Sequence, residues 1–218
     1  MRKRTYLSET HRKHSEACQR EVNEMAKHPL THEQMEEQIR RTRRESLYRS
    51  KFIFLDLDCT LNTPGYRAYC RKNGLPLRDA YGPVFDPFAI LNLTSILKAD
   101  PFARLVFLSN WNYRGLGEMK GLWMRRFLPG FVIGMAGQNL NLGTEELEAL
   151  GQEHLPLARA MEVRAWLRDN EVADRPYIIL DEEADYGDDL NPHVVIVNPE
   201  IGLTDVQARK AIRLLKKS

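Results

Sequence analysis

Five short apolar runs punctuate the chain: Phe52–Leu55, Leu105–Leu108, Phe131–Ile133, Tyr177–Leu180 and Val194–Val197. Each is a few residues long and rich in branched or aromatic side chains. Strands buried on both faces of a parallel sheet read this way, because neither face needs a polar residue. Between the runs, apolar residues recur at helical spacing. Asp86-Pro87 reads as an N-cap with proline at the first helical position, which predicts a helix to about Lys98. Further helices are expected over about 116–127, over 159–168, and from Thr204 to the end, where Thr204 and Gln207 form a capping box. Leu61 to Tyr81 reads as irregular, with Pro64-Gly65, Gly74 and Pro76 as turn signals. Residues 136–155 read as a loop with a helical turn near 145–150. Strands alternating with helices predict an α/β fold with a doubly wound parallel sheet of about five strands.

The first fifty residues follow a different pattern. Cys18, Val22, Met25 and Ala26 make one narrow apolar stripe, Pro29 interrupts it, and Thr31 with Gln34 has the form of a capping box that starts a second helix. We therefore expect a helical extension over 1–50 and a main domain over 51–218. Residues 1–51 carry 13 Lys/Arg against 8 Asp/Glu, and the remainder 19 against 22. A basic arm on a mildly acidic body suits an anionic partner such as nucleic acid, and the two helices are also a candidate surface for self-association. A solvated helical pair would show the same charge run.

Polar residues gather where apolar runs end. Asp56 closes the first run and Asp58 stands in the turn beyond; Ser109 and Asn110 close the second; Asp181, Glu182, Glu183 and Asp185 close the fourth. In an open α/β sheet all such ends lie on one edge, the edge where ligands bind. Two carboxylates at one strand end repel unless a cation sits between them, and magnesium prefers oxygen ligands. A hydroxyl followed by backbone N–H groups at a strand-to-helix junction can cradle a phosphate. Neither GxxxxGK[ST] nor GxGxxG occurs, which disfavours P-loop kinases and dinucleotide enzymes. Three cysteines without a CxxC pair fit a reducing, cytoplasmic setting, and no apolar run reaches membrane-spanning length.

Asp56-Leu57-Asp58-Cys59-Thr60 after an apolar strand resembles the first motif of the haloacid dehalogenase (HAD) superfamily of phosphohydrolases. Ser109 matches the second motif, and Asp181 with either Glu182 or Asp185 the fourth. Arg159 stands where the family normally has a lysine. Phe85-Asp86-Pro87, Ser109 with Trp111, Leu180-Asp181 and Gly202-Leu203-Thr204 resemble the HAD branch associated with Swiss-Army-knife RNA-repair systems; that branch often has arginine where this chain has Asn112. The resemblance implies a HAD-like (Rossmannoid) fold, and the short stretch from Leu61 to Phe85 leaves too few residues for a lid, so we expect it to be essentially capless. It implies Asp56 as nucleophile and Asp58 as general acid/base, with Ser109, Asn110 and Arg159 on the phosphate. Asp56, Asp58, Asp181 and Asp185 are the implied magnesium set. The expected substrate is a phosphomonoester, a nucleic-acid 3′-phosphate end or a nucleotide. A non-catalytic HAD-fold module that binds nucleic acid or protein is the alternative.

Overall fold

In a computed structural model, residues 14–20, 31–137 and 155–217 are described. The chain divides into two units, residues 1–46 and 47–218. In the first, residues 14–20 are helical, and helix α1 (His32–Tyr48) crosses the boundary. The capping box at the start of α1 is reciprocal: Gln34 N donates to Thr31 Oγ1 (3.2 Å), and Thr31 N donates to Gln34 Oε1 (2.9 Å). Met35 and Ile39 are exposed on it. The stripe residues Val22, Met25 and Ala26 lie outside the described residues.

The second unit runs β1 (Lys51–Leu55), α2 (Pro64–Lys72), β2 (Arg78–Asp79), β3 (Gly82–Pro83), α3 (Pro87–Ala99), β4 (Ala103–Phe107), a 3₁₀ turn (Asn110–Arg114), α4 (Gly115–Arg125), β5 (Val132–Met135), α5 (Leu155–Asp169), β6 (Tyr177–Asp181), β7 (Val194–Ile196) and α6 (Asp205–Lys217). Five strands form one parallel sheet in the order β5-β4-β1-β6-β7. From β1 the chain moves outward to β4 and β5, then returns to β6 on the other side of β1 and moves out to β7. The winding direction therefore reverses between β1 and β6, and a crevice opens at their carboxyl ends. The expected α/β, HAD-like sheet with helices around it is the fold observed.

Alternation along β1 builds two cores, since successive strand side chains point to opposite faces. Ile53 and Leu55 join Leu105, Phe107, Ile178 and Leu180 beneath α3, α4 and α6. Phe52 and Phe54 join Val106, Tyr177 and Ile179 beneath α5, where Trp166 meets their rings edge-on at 5.1 and 5.5 Å. All four β1 residues from Phe52 to Leu55 are fully buried. Burying side chains of this size stabilises by roughly 1.5–3 kcal/mol each, so the strand that carries Asp56 is a rigid mount.

Two expectations need amending. Leu61–Tyr81 is not irregular. Pro64-Gly65 opens α2 rather than a turn: Thr63 is its N-cap, accepting from Tyr66 N at 3.0 Å, and Pro64 takes a first-turn position that needs no N–H. Gly65 is required there because an added Cβ would lie 2.5 Å from the Glu200 carbonyl oxygen. The short β2-β3 hairpin follows. Second, α5 starts at Leu155, earlier than expected. The helical turn near 145–150 falls outside the described residues. No helix among the described residues is long and apolar enough to cross a membrane.

Candidate active site and metal centre

Three strand ends make the site. Asp56 follows β1 directly; its N–H donates to the Leu180 carbonyl of β6 (3.0 Å), and the residue is only 1% exposed. The chain then makes a tight turn. Cys59 takes a left-handed φ of 57°, Cys59 N donates to Asn62 O, and Leu61 N and Asn62 N both donate to Leu57 O. This turn presents Asp58 beside the strand end. Its Oδ1 accepts from Asn62 Nδ2 (2.9 Å) and its Oδ2 from the Trp111 indole N–H (2.8 Å). Its carbonyl accepts from Thr60 N (2.6 Å).

At the end of β4, Ser109 is buried and caps the 3₁₀ turn, its hydroxyl accepting from Trp111 N at 3.5 Å. Asn110 is exposed. Arg159 reaches across from α5. One of its amino groups donates to the Leu108 carbonyl; the other donates to Asp56 Oδ1 (3.4 Å) and Asn110 Oδ1 (3.3 Å). At the end of β6, Asp181 is equally buried. Its Oδ1 accepts from Glu183 N (2.9 Å) and its Oδ2 from the phenol of fully buried Tyr186 (2.5 Å).

Carboxylate oxygens of Asp56, Asp181 and Glu182 all lie within 4.8 Å of one another. Burial raises the Asp56 pKa well above its ordinary value; Asp181 adds to the rise and Arg159 opposes it. Burial, then the Asp181 charge, pushes Glu182 up from 4.5 to about 7. Burial works against the charge of Arg159, but Asp56 and Asp181 outweigh it and hold that pKa above normal. Burial and Asp181 likewise raise the Tyr186 phenol, so it stays a donor.

A cation fits this group. Asp56 Oδ2 and Glu182 Oε2 are buried and have no hydrogen-bond partner. Leaving buried acceptors unmet is costly, and an oxygen-only donor set suits a hard divalent ion. HAD proteins usually use Mg²⁺.

The sequence-derived candidates sort as follows. Asp56 and Asp181 stand together in the acidic group, with Arg159 against Asp56. The Asp58 side chain is turned to Asn62 and Trp111. Asp185 is not among the clustered acids. It is exposed, its Oδ1 accepts from Gly187 N (3.0 Å) and Asn191 Nδ2 (3.4 Å), and those bonds hold its pKa below normal. Glu182 is the neighbour that joins Asp181. Asn62, Trp111 and Tyr186 were not picked out as functional residues; Trp111 entered only as part of a resembling pattern.

No curated protein and no solved structure matches this chain. A family model does, over residues 52–208, and its span takes in Asp56, Asp58, Ser109, Arg159, Asp181 and Glu182 together with the sheet that carries them. The chain belongs to the family described as the HAD domain in Swiss Army Knife RNA repair proteins.

Proposed function

We propose that this protein is a magnesium-dependent phosphomonoester hydrolase that works through an aspartyl-phosphate and acts on nucleic-acid 3′-phosphate ends. Family membership supports a phosphatase-type role in general. The observation that carries the finer reading is the pair of buried, unpartnered carboxylate oxygens on Asp56 and Glu182 beside the guanidinium of Arg159. Such a group has a nucleophile, an anion binder and a cation site in one place.

Asp56 attacks phosphorus in line with the leaving oxygen. The new O–P bond forms as the ester P–O bond breaks, and Asp58 gives its proton to the departing oxygen. Asp58 then takes a proton from the water that hydrolyses the aspartyl-phosphate. Arg159 and the Ser109 hydroxyl hold the phosphoryl oxygens, where charge spreads at the transition state. Asp56, Asp181 and Glu182 would hold Mg²⁺, which supplies positive charge against those oxygens when bound.

The substrate class rests on size and charge. The segment between Thr60 and Phe85 holds only α2 and a two-residue-strand hairpin, too little for a separate cap domain. A large substrate covers an open site by itself, and the basic arm of residues 1–51 suits a polyanion. The test is Mg²⁺-dependent phosphate release from a 3′-phosphorylated oligonucleotide and from the matching 3′-mononucleotide. We expect the higher kcat/KM on the oligonucleotide, because binding energy from remote phosphates can be used at the transition state. Equal or better turnover of the mononucleotide at low salt overturns the nucleic-acid assignment. No Mg²⁺-dependent turnover of any phosphomonoester overturns the hydrolase itself and leaves a binding module.

A further inference from the structure

We propose that Trp111, assisted by Asn62, is a positioning residue that holds the Asp58 carboxyl where its proton can reach the leaving oxygen; this rests on the hydrolase reading above. An aspartate carboxyl turns easily about its last side-chain bond, a broad and shallow torsion. Asp58 also lies in a turn and is half-buried. Two donors remove that freedom. Asn62 Nδ2 takes Oδ1 from within the turn itself, and the Trp111 indole takes Oδ2 from a different strand end, 53 residues along the chain. Bonds to both oxygens fix the plane of the group.

Trp111 is well placed to be the fixed point. It is 7% exposed, packs against Phe85 at 6.0 Å between ring centroids, and has the Arg114 guanidinium 5.4 Å over its ring. Arg114 is tied in turn to the Tyr81 carbonyl and to Glu118. The hairpin residue Gly82 closes in from another side; a Cβ there would lie 3.7 Å from the indole ring. Trp111 also shares one turn with Ser109, whose hydroxyl accepts from its backbone N–H. That single turn therefore sets both the phosphoryl-oxygen ligand and the clamp on the acid, with one residue between them.

The choice of donor suits the proton's route. During the first displacement the ester P–O bond breaks, its electron pair stays on the leaving oxygen, and the Asp58 proton moves to that oxygen. An indole N–H donates only; with no acceptor lone pair it offers that proton no other destination. A hydroxyl in the same place would compete for it. Two of the carboxyl group's roughly four lone-pair sites face Asn62 and Trp111, which leaves the others for substrate and water.

The test separates this role from a packing role. kcat/KM is measured for wild type, Trp111→Phe, Asp58→Asn and the double variant on two phosphomonoesters. One is p-nitrophenyl phosphate, whose leaving group departs readily without a proton. The other is a 3′-mononucleotide, whose sugar oxygen needs one. Misplacing a catalytic group by about 1 Å can cost about 10²-fold. We expect Trp111→Phe to lower the mononucleotide value by roughly that factor and to lower it at least ~10-fold more than the p-nitrophenyl value. In the Asp58→Asn background the same change should add little, since groups acting as a unit are non-additive. Equal losses on both substrates, or full additivity, overturn the proposal. Should Trp111→Phe fail to fold, the Trp111 indole N–H resonance decides. Trp123 and Trp166 are the only other tryptophans. In Asp58→Ala the Trp111 signal should shift while those two stay in place; an unmoved signal overturns the clamp. A wild-type protein active on neither ester nor on the 3′-phosphorylated oligonucleotide removes the hydrolase reading and this role with it, whereas an active wild type with an unselective Trp111→Phe removes only this role.

Discussion

Glu182 makes the metal-free protein sensitive to pH in a predictable direction. Its ordinary pKa is 4.5, and in the folded chain burial and Asp181 raise it to about 7. Unfolding exposes the carboxyl, which then releases its proton at the lower value. Between these two values the folded state binds more protons than the unfolded one. Stability therefore falls as pH rises from 4.5 to about 7, and levels off above. At about 1.4 kcal/mol per pKa unit the ceiling on this loss is about 3 kcal/mol. Glu182 is partly open to solvent, and screening lowers the expected loss to about 1–2 kcal/mol. Asp56, raised mainly by burial and next by Asp181, acts in the same direction. Urea unfolding followed by circular dichroism, with a chelator present, should show wild type losing stability over this window and Glu182→Gln losing less. Magnesium should reverse the trend, stabilising more at pH 8 than at pH 5, because it binds the ionised carboxylates and only in the folded chain. Parallel pH profiles for wild type and Glu182→Gln would refute the reasoning, and so would a magnesium effect that does not change with pH.

Asp56→Asn should abolish phosphate release while the circular dichroism spectrum stays that of wild type, since the amide has nearly the same shape but is no nucleophile. Wild-type-like turnover would remove Asp56 from the nucleophile's role. Gly202→Ala should destabilise by about 1–3 kcal/mol in thermal or urea unfolding. Gly202 has a φ of +69°, and an added Cβ would lie 2.5 Å from the Thr60 carbonyl oxygen and 2.6 Å from Thr63 Cγ2. Gly74→Ala is the control, with a φ of +64° and nothing within 4 Å, so the difference between the two isolates the clash. A Gly202→Ala cost no larger than that of Gly74→Ala would show that the turn carrying Asp58 yields easily.

The strands were legible because a strand covered on both faces has no polar position to blur its outline. Phe52–Leu55 and Tyr177–Leu180 are unbroken apolar runs, and all are buried. The edge that carries the candidate site was legible for the same reason, since a polar residue that ends such a run must stand at the sheet's carboxyl edge. Helix α2 was misread because proline and glycine carry two meanings. Pro64-Gly65 signals a turn when read alone, but Thr63 before it supplies an N-cap and makes Pro64 the start of a helix. The cap residue, rather than the proline, decides between them.

The site was less readable where a partner comes from far along the chain. Nothing in the spacing joins Trp111 to Asp58, because strand pairing across the sheet brings them together. Asp185, unlike Glu182, did carry a local turn signal. Asp185-Tyr186-Gly187 is an aspartate two residues before a glycine, the pattern in which a side chain bonds the backbone N–H two residues on and closes a turn. Asp185 does this with Gly187 N and stands outside the acidic group. Glu182, with no such use, is left to face Asp181 and Asp56. Tyr186 carried a signal too. An aromatic ring inside an acidic loop has to bury its apolar body, and a buried phenol needs an acceptor. The acids beside it are the nearest acceptors, and at Asp181 that bond uses one side of a carboxyl group whose other oxygen is already taken by Glu183 N. With both oxygens held, Asp181 offers its remaining lone pairs in a fixed direction, which is how a surrounding shell orients a ligand for a metal.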